Sequence, residues 1–388
     1  MKITGYLRPS GRFGFRNHLL IIPVSVCAAH VAAKIADQVP GAVALPNQHG
    51  CSQIGQDLLL TSRTLTGFGL NSNVGAVLVV GLGCDGVQAA DLADSIRPSG
   101  KPVEALVIQE NGGTLKSIAK GVELASRLAR VLSEERRREC GLEELILGLE
   151  CGGSDPTSGL ASNPVIGRAS NRLVEAGGSS ILAETTEVIG AEHLLAPRFA
   201  DQAERAKFLR MVDNVEKRAL TMGVDLREGQ PTPGNKAGGL STIEEKSLGC
   251  MYKAGDRPFI GALEYAERLP LEKARGLYFM DSPGQDIDSI TGLLAAGAQI
   301  IVFSTGRGTP TGSPIAPVIK ITGNSETYAK MADNIDLNAG RIIDEGATVA
   351  DIGDELFQLV LEVADGRLSK AESLGHQEFG IYRLTGAF

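Results

Sequence analysis

The sequence predicts an α/β fold, with mainly parallel sheets, flanking helices and two βαβ-type lobes. Three observations carry this. The apolar runs at 19–24, 74–80 and 145–148 do not alternate with polar residues, as expected of parallel strands covered on both faces. Segments of helical spacing separate the runs, which is the pattern of βαβ units. Several runs end in glycine-rich loops, and the 48 glycines among 388 residues supply the tight strand-to-helix turns such a chain needs.

Residues 1–18 contain a basic, glycine-spaced turn, Gly11-Arg12-Phe13-Gly14-Phe15-Arg16-Asn17-His18. A buried strand at 19–24 precedes a helix over 28–39. A short strand at 42–45 leads into Pro46-Asn47-Gln48-His49-Gly50-Cys51. A helix over 54–67 and a strand at 74–80 follow, ending in Gly81-Leu82-Gly83-Cys84-Asp85-Gly86. A strand at 103–108 and a helix over 114–137 complete a first lobe at 1–140. Arg136-Arg137-Arg138, flanked by glutamates, reads as a solvated helix face. The second lobe, 141–388, opens with the strand at 145–148 and the run Glu150-Cys151-Gly152-Gly153-Ser154-Asp155. Helices are expected at 163–176, 200–222, 241–253 and 287–296, and strands at 179–183, 276–280 and 299–303. Loop-rich segments lie at 230–240 and 304–312.

The net charge of −8 and pI near 5.3 argue against a nucleic-acid surface. Tryptophan is absent, which removes the best residue for stacking bases. No apolar stretch is long enough to span a membrane. The N-terminus has no signal-peptide core, so a cytoplasmic protein without structural disulfides is expected.

Six cysteines are then read one by one. Cys27, Cys140 and Cys250 lie in or beside helical patterns and read as small buried hydrophobes. Cys51, Cys84 and Cys151 each lie beside glycine at a strand end. In a parallel sheet these ends emerge on one edge, so the three thiols are candidates for one metal centre with an open position. The competing reading is three separate thiols. Gly81-x-Gly83-x-x-Gly86 matches a dinucleotide fingerprint, so an NAD(P)-dependent oxidoreductase is a second class to weigh. The loop at 304–312 offers hydroxyls, backbone N–H groups and Arg307 to a carboxylate or phosphate. Lys236, in Pro233-Gly234-Asn235-Lys236, offers a second cation. Glu184, Glu187 and His193 cluster after a strand as proton donors or acceptors, and His49 stands two residues before a thiol.

Taken together, these segments resemble the altronate/galactarate dehydratase family, in its large catalytic portion. The resemblance rests on Gly11-Arg12-x-Gly14-x-Arg16-Asn17, Gly50-Cys51, Gly81-Leu82-Gly83-Cys84, Gly148-Leu149-Glu150-Cys151-Gly152-Gly153-Ser154-Asp155, Ala183-Glu184, Pro233-Gly234-Asn235 and Thr305-Gly306-Arg307-Gly308-Thr309-Pro310-Thr311-Gly312. It implies a cytoplasmic hydro-lyase that converts a sugar acid to a 2-keto-3-deoxy acid, using Fe2+ or an open iron–sulfur cluster on Cys51, Cys84 and Cys151. Glu150, Glu184, Lys236 and His49 would then be catalytic. Arg16, Asn17, Ser154, Asp155, Asn235, Thr305, Arg307 and Thr309 would bind the substrate. The resemblance further implies a homo-oligomer. Family members carry a small extra domain before the segment matching Gly5, so a separate small subunit is an expected partner. The large subunit of a two-subunit sulfolactate lyase is the related alternative, and a noncatalytic subunit of a heteromer is a third. Asn47 stands where members often place a histidine, which puts the metal geometry in question.

Overall fold

The computed structural model describes residues 1–385 except 230, 271 and 273. Gln230 of the expected loop and the last three residues of the expected second lobe lie outside the described residues. The strands, in chain order, are β1 (Lys2–Leu7), β2 (Phe13–Gly14), β3 (His18–Pro23), β4 (Ala42–Ala44), β5 (Val74–Gly81), β6 (Val103–Val107) and β7 (Arg137–Gly141). They continue with β8 (Ile146–Cys151), β9 (Ser179–Leu182), β10 (Phe259–Leu263), β11 (Leu277–Met280), β12 (Ile300–Ser304), β13 (Val318–Thr322) and β14 (Leu337–Asn338).

Two all-parallel sheets form the body, as the apolar runs predict. One has the order β4-β3-β5-β6, and the other β10-β11-β9-β8-β12-β13-β14. Every residue of β5 and of β8 is buried, which is why neither strand alternates. Helices Val26–Ala36 and Thr114–Ser133 cover one face of the four-stranded sheet through Val31, Ile35, Leu124 and Leu128. Its other face shares a core with the seven-stranded sheet, in which Phe68 and Ile96 join Ile290, Leu293 and Ile301. The lobes are tied closely. A Cβ on Gly67 would lie 2.5 Å from the Ala295 carbonyl oxygen, so a side chain there would push helices Gly55–Leu70 and Asp286–Ala296 apart. Asn71 and Asn73 donate across the junction to the carbonyls of Leu294, Ala298 and Gln299, each at 2.8 Å.

One expectation fails at the lobe junction. The helix expected to 137 ends at Ser133, and the arginine run enters β7, which pairs antiparallel with β1. The strand is polar because its partners are polar. The Arg137 guanidinium donates to the Thr4 carbonyl at 2.6 Å and to that of Ala364, and stacks on Tyr6 with its carbon 5.3 Å from the ring centre. These long-range contacts outweigh the local helical pattern. Strands β10, β13 and β14 are likewise not expected from the sequence pattern. Among the described residues no helix is long and apolar enough to cross a membrane.

The seven-stranded sheet has a topological switch point. The chain leaves β8 for β9 on one side and later returns to β12 on the other. In open parallel sheets, ligands bind beyond the carboxyl ends of the strands at such a point. Here the two strand ends are Cys151 and Ser304, which face each other in register.

Candidate active site

Beyond β8 and β12 two loops cross with almost no side chain between them. Gly152 N–H donates to the Ser304 carbonyl at 2.8 Å, and Gly306 N–H donates to that of Gly153 at 2.9 Å. A Cβ on Gly306 would lie 2.7 Å from the Asp155 backbone nitrogen. One on Gly152 would meet Phe303 at 2.7 Å and the Asp286 carboxylate at 3.0 Å. These glycines let the Glu150–Asp155 run and the Thr-Gly-Arg-Gly loop share one floor.

On that floor lies a buried cluster of acids and thiols. Cys151 Sγ is 3.9 Å from Cys250 Sγ and 3.0 Å from Ser154 Oγ. The Cys250 sulfur, the Cys151 sulfur and the Glu187 carboxylate all lie within 4.8 Å of one another. Cys250 comes from helix Ile243–Met251, whose Gly249 abuts Gly159 with no side chain intervening. Lys253, three residues on, is fully buried and donates to Glu184 and Glu187, each at 2.9 Å. Lys246 pairs with the other Glu187 oxygen at 3.1 Å. Glu184 also accepts the Cys151 backbone N–H at 2.8 Å, and Glu150 accepts from Ser289 Oγ at 2.8 Å. Glu184 adopts a left-handed backbone, φ +73°, rare for a residue with a side chain. Its N–H is held by Ser282 Oγ at 2.8 Å, and strain kept in place in this way marks functional positions.

Burial and charge divide the acids. Burial, with the neighbouring Lys253 opposing it, leaves Glu150 well above the ordinary carboxylate range. Burial and the Glu150 and Glu187 charges do the same to Glu184. Burial would raise Glu187 too, but Lys253 and Lys246 outweigh it and hold that carboxyl down to about 2. Cys151 is drawn below the usual thiol range, chiefly by the hydrogen bond from Cys250, and Cys250 is pushed up by the same contact. Asp286, half-buried at the start of its helix, is raised to about 6 by burial and by the Glu187 charge.

The donor set can hold a divalent cation. Two thiols and a carboxylate form a borderline-soft site of the kind iron and zinc accept. Glu150 Oε1 and Glu184 Oε1 are buried without a partner, and Glu184 shares the Lys253 ammonium with Glu187 through its other oxygen.

The triad expected from sequence, Cys51, Cys84 and Cys151, does not assemble. Among the described residues the group whose donor atoms come together closely enough to hold a metal ion is Cys151, Glu187 and Cys250, and both Cys51 and Cys84 are exposed. The reason is topological: Cys51 and Cys84 follow strands of the four-stranded sheet, whereas Cys151 ends a strand of the other sheet. Cys250 is buried as expected, but against the Cys151 sulfur and the Glu187 carboxylate. Cys27 is exposed and Cys140 half-buried, so neither is the buried hydrophobe expected.

Arg16 and Asn17 are tied into the fold rather than open to a ligand. Arg16 forks onto Glu372 at 2.6 and 2.9 Å and also donates to the Phe15, Val363 and Arg367 carbonyls. Asn17 accepts from Arg8 at 2.8 Å and donates to the Leu132 carbonyl. Asp155 bonds Thr157, Ser158 and Asn324, shaping its own turn, and also lines a cavity. That cavity, about 270 Å3, is lined by Ser154, Lys246 and Cys250 as well. Asn235 Oδ1 accepts the Ser154 N–H at 3.1 Å. Thr305 Oγ1 accepts the Gly308 N–H, and Thr309 bonds Thr311, so both shape the loop bearing Arg307. Arg307 and Lys236 are exposed and make no ion pair among the described residues. His193 is exposed. His49 lines a separate cavity of about 300 Å3 with Gln285 and Asp288.

The Gly81–Gly86 turn does not offer a phosphate cradle. Its own Asp85 carboxylate takes the Leu82 and Gly83 N–H groups at 2.7 and 3.0 Å, where a pyrophosphate would need them.

A parallel-sheet enzyme is thus defined, with paired acids, thiols and lysines at its switch point. The model of the D-galactarate dehydratase/altronate hydrolase second domain matches residues 5–133, and that of the D-galactarate/altronate dehydratase C-terminal domain matches 142–386. The chain belongs to the D-galactarate/altronate dehydratase family, and it is a lyase. It is 39% identical to the (2R)-sulfolactate sulfo-lyase subunit beta of Chromohalobacter salexigens, over 98% of this chain and 97% of that one. It is 35% identical to the altronate dehydratase of Escherichia coli, over 97% of this chain and 77% of the relative. Its identity to the galactarate dehydratase of the same organism is 34%, over 79% and 59%.

Proposed function

We propose that the chain catalyses β-elimination from a small polyhydroxy acid of the altronate or galactarate type, at the Cys151–Glu187–Cys250 centre loaded with Fe2+. The supporting observation is the buried dithiol–carboxylate set of Cys151, Glu187 and Cys250, reached by a cavity that Cys250, Ser154 and Lys246 line. When bound, a divalent ion supplies Lewis-acid polarisation of a substrate oxygen. The donor set holds two thiols, so it favours a single ion over a cluster held by three cysteines.

The chain's own residues do the remaining work. Arg307 and Lys236 hold the substrate carboxylate. Asp286, whose carboxyl is raised to about 6, removes the proton α to that carboxylate. Glu150 or Glu184, kept protonated by burial, donates to the departing β-hydroxyl. Activity as kcat/KM should therefore rise with pH through about 6, as Asp286 loses its proton. Asp286→Asn should lower kcat by about 10²–10⁴-fold. An unchanged acidic limb in that variant would remove Asp286 from the role. Arg307→Ala should raise KM by roughly tenfold or more, the loss of one charge-assisted hydrogen bond worth about 1.5–3 kcal/mol, with a smaller effect on kcat. Equal loss from kcat alone would move Arg307 from binding to chemistry.

The match over nearly the full length of a sulfo-lyase subunit favours a second reading, in which sulfite rather than hydroxide leaves. Both acids present an α-proton, a carboxylate and a β leaving group. The test is anaerobic reconstitution with Fe2+ and assay on hexonates, hexarates and sulfolactate, with and without a small partner subunit. A 2-keto-3-deoxy acid supports the first reading and sulfite the second. No product from any acid overturns both. A cytoplasmic location and a homo-oligomer accompany this proposal.

A further inference from the structure

We propose that Cys151 and Cys250 are a redox pair, which hydrogen peroxide converts to an intramolecular disulfide that closes the centre and which thiols reopen.

The argument begins with distance. The sulfurs are in direct contact at 3.9 Å, so modest side-chain rotation brings them to the roughly 2.05 Å of a disulfide. They come from separate elements, the end of β8 and helix Ile243–Met251, and neither flanks the other in sequence. Closing the bond therefore pins that helix to the strand end. Access comes next. Both thiols are buried, yet Cys250 lines the cavity of about 270 Å3, wide enough for a peroxide molecule, with Lys246 on its wall. Charge follows. The Lys253 ammonium is fixed between Glu184 and Glu187, and Lys246 pairs with the outer oxygen of Glu187, so the carboxylate nearest the two sulfurs is held in place by its own cations.

The chemistry balances. A thiolate sulfur of the pair attacks one peroxide oxygen, the O–O bond breaks, and the product is a sulfenic acid and one water once the leaving hydroxide is protonated. The second sulfur attacks the sulfenic sulfur and expels a second water, with its own thiol proton taken up by the departing hydroxide. Two thiols lose two electrons to one peroxide, which becomes two waters. Two sulfurs in reach of each other stop the reaction at the disulfide, short of the sulfinic acid a solitary thiolate would reach. The disulfide removes two of the three donor atoms of the Cys151–Glu187–Cys250 group. Its consequence for catalysis rests on the proposed function, whereas the disulfide itself does not.

The test uses the full chain, purified without oxygen, treated with a small excess of hydrogen peroxide, alkylated and mapped by peptide mass spectrometry. The expected result is a cross-linked peptide pair joining Cys151 to Cys250. Two of the six thiols should be lost from alkylation and recovered with dithiothreitol. In Cys250→Ser the cross-link should vanish and Cys151 should carry sulfenic or sulfinic oxygen instead. Wild-type protein in which Cys151 is overoxidised while Cys250 stays alkylatable overturns the proposal, as does a cross-link confined to Cys27, Cys51, Cys84 or Cys140. The mapping needs no substrate. A reversible Cys151–Cys250 bond in a protein inactive on every acid upholds the redox pair and overturns the proposed reaction alone.

Discussion

Replacing Lys253 by methionine is expected to destabilise the fold by about 3–5 kcal/mol, the cost of leaving a buried charge unpaired. Lys253 lies at 0% exposure and is shared by two carboxylates that are themselves buried, Glu184 and Glu187. Methionine fills much the same volume, so the loss isolates the charge rather than a cavity. The deficit should depend on pH in a definite direction. In the wild type, Glu187 is held down to about 2, so its stabilisation is present above the ordinary carboxylate range and is lost as pH falls toward 2. Without Lys253 its folded-state titration moves upward, and the variant then loses stability as pH rises. The difference in thermal midpoint between variant and wild type should therefore be larger at pH 8 than at pH 5. Equal midpoints at both pH values would show that the ammonium does not compensate these acids.

Cys250→Ser and Cys151→Ser are each expected to lower kcat/KM of the iron-reconstituted enzyme by at least about 100-fold, since even a group that merely orients a metal ligand is worth 10–100-fold. The fold should survive, because serine is close in size to cysteine and Ser154 Oγ already stands 3.0 Å from the Cys151 sulfur. Cys51→Ser and Cys84→Ser should leave activity within a few-fold of wild type, both side chains being exposed. This contrast separates the proposed Cys151–Glu187–Cys250 centre from the triad expected on sequence grounds. If Cys51 or Cys84 proves as costly as Cys250, the centre is misassigned.

How much of this was legible beforehand follows from the kind of signal each part leaves. The parallel strands were legible because apolar runs such as β5 and β8 are buried on both sides and so carry no alternation. β7 was not, since Arg-Arg-Glu-Cys-Gly becomes a strand only through Thr4, Tyr6 and Ala364, all distant in sequence. The Glu150–Asp155 run and the Arg307 loop were legible as polar, glycine-rich strand ends, and the topology brings them to one floor. Cys250 and Lys253 were missed because within a helical pattern one reads as a core thiol and the other as a solvated charge. Their partners lie 99 and 69 residues away, so local sequence carries no trace of either contact. A signal did exist for Glu187, which stood out beside Glu184 after β9. Arg16 misled in the opposite sense. A buried arginine that forks onto Glu372 and three carbonyls leaves the same sequence mark as one that binds a substrate.

The most direct test of the central claim is the iron content of anaerobically reconstituted protein, measured per chain in the wild type, in Cys250→Ser and in the double variant Cys51→Ser/Cys84→Ser. The proposed centre predicts about one Fe2+ per chain in the wild type and in the double variant, as a single site formed by Cys151, Glu187 and Cys250 requires, and little in Cys250→Ser. Full iron in Cys250→Ser together with its loss from the double variant would contradict it.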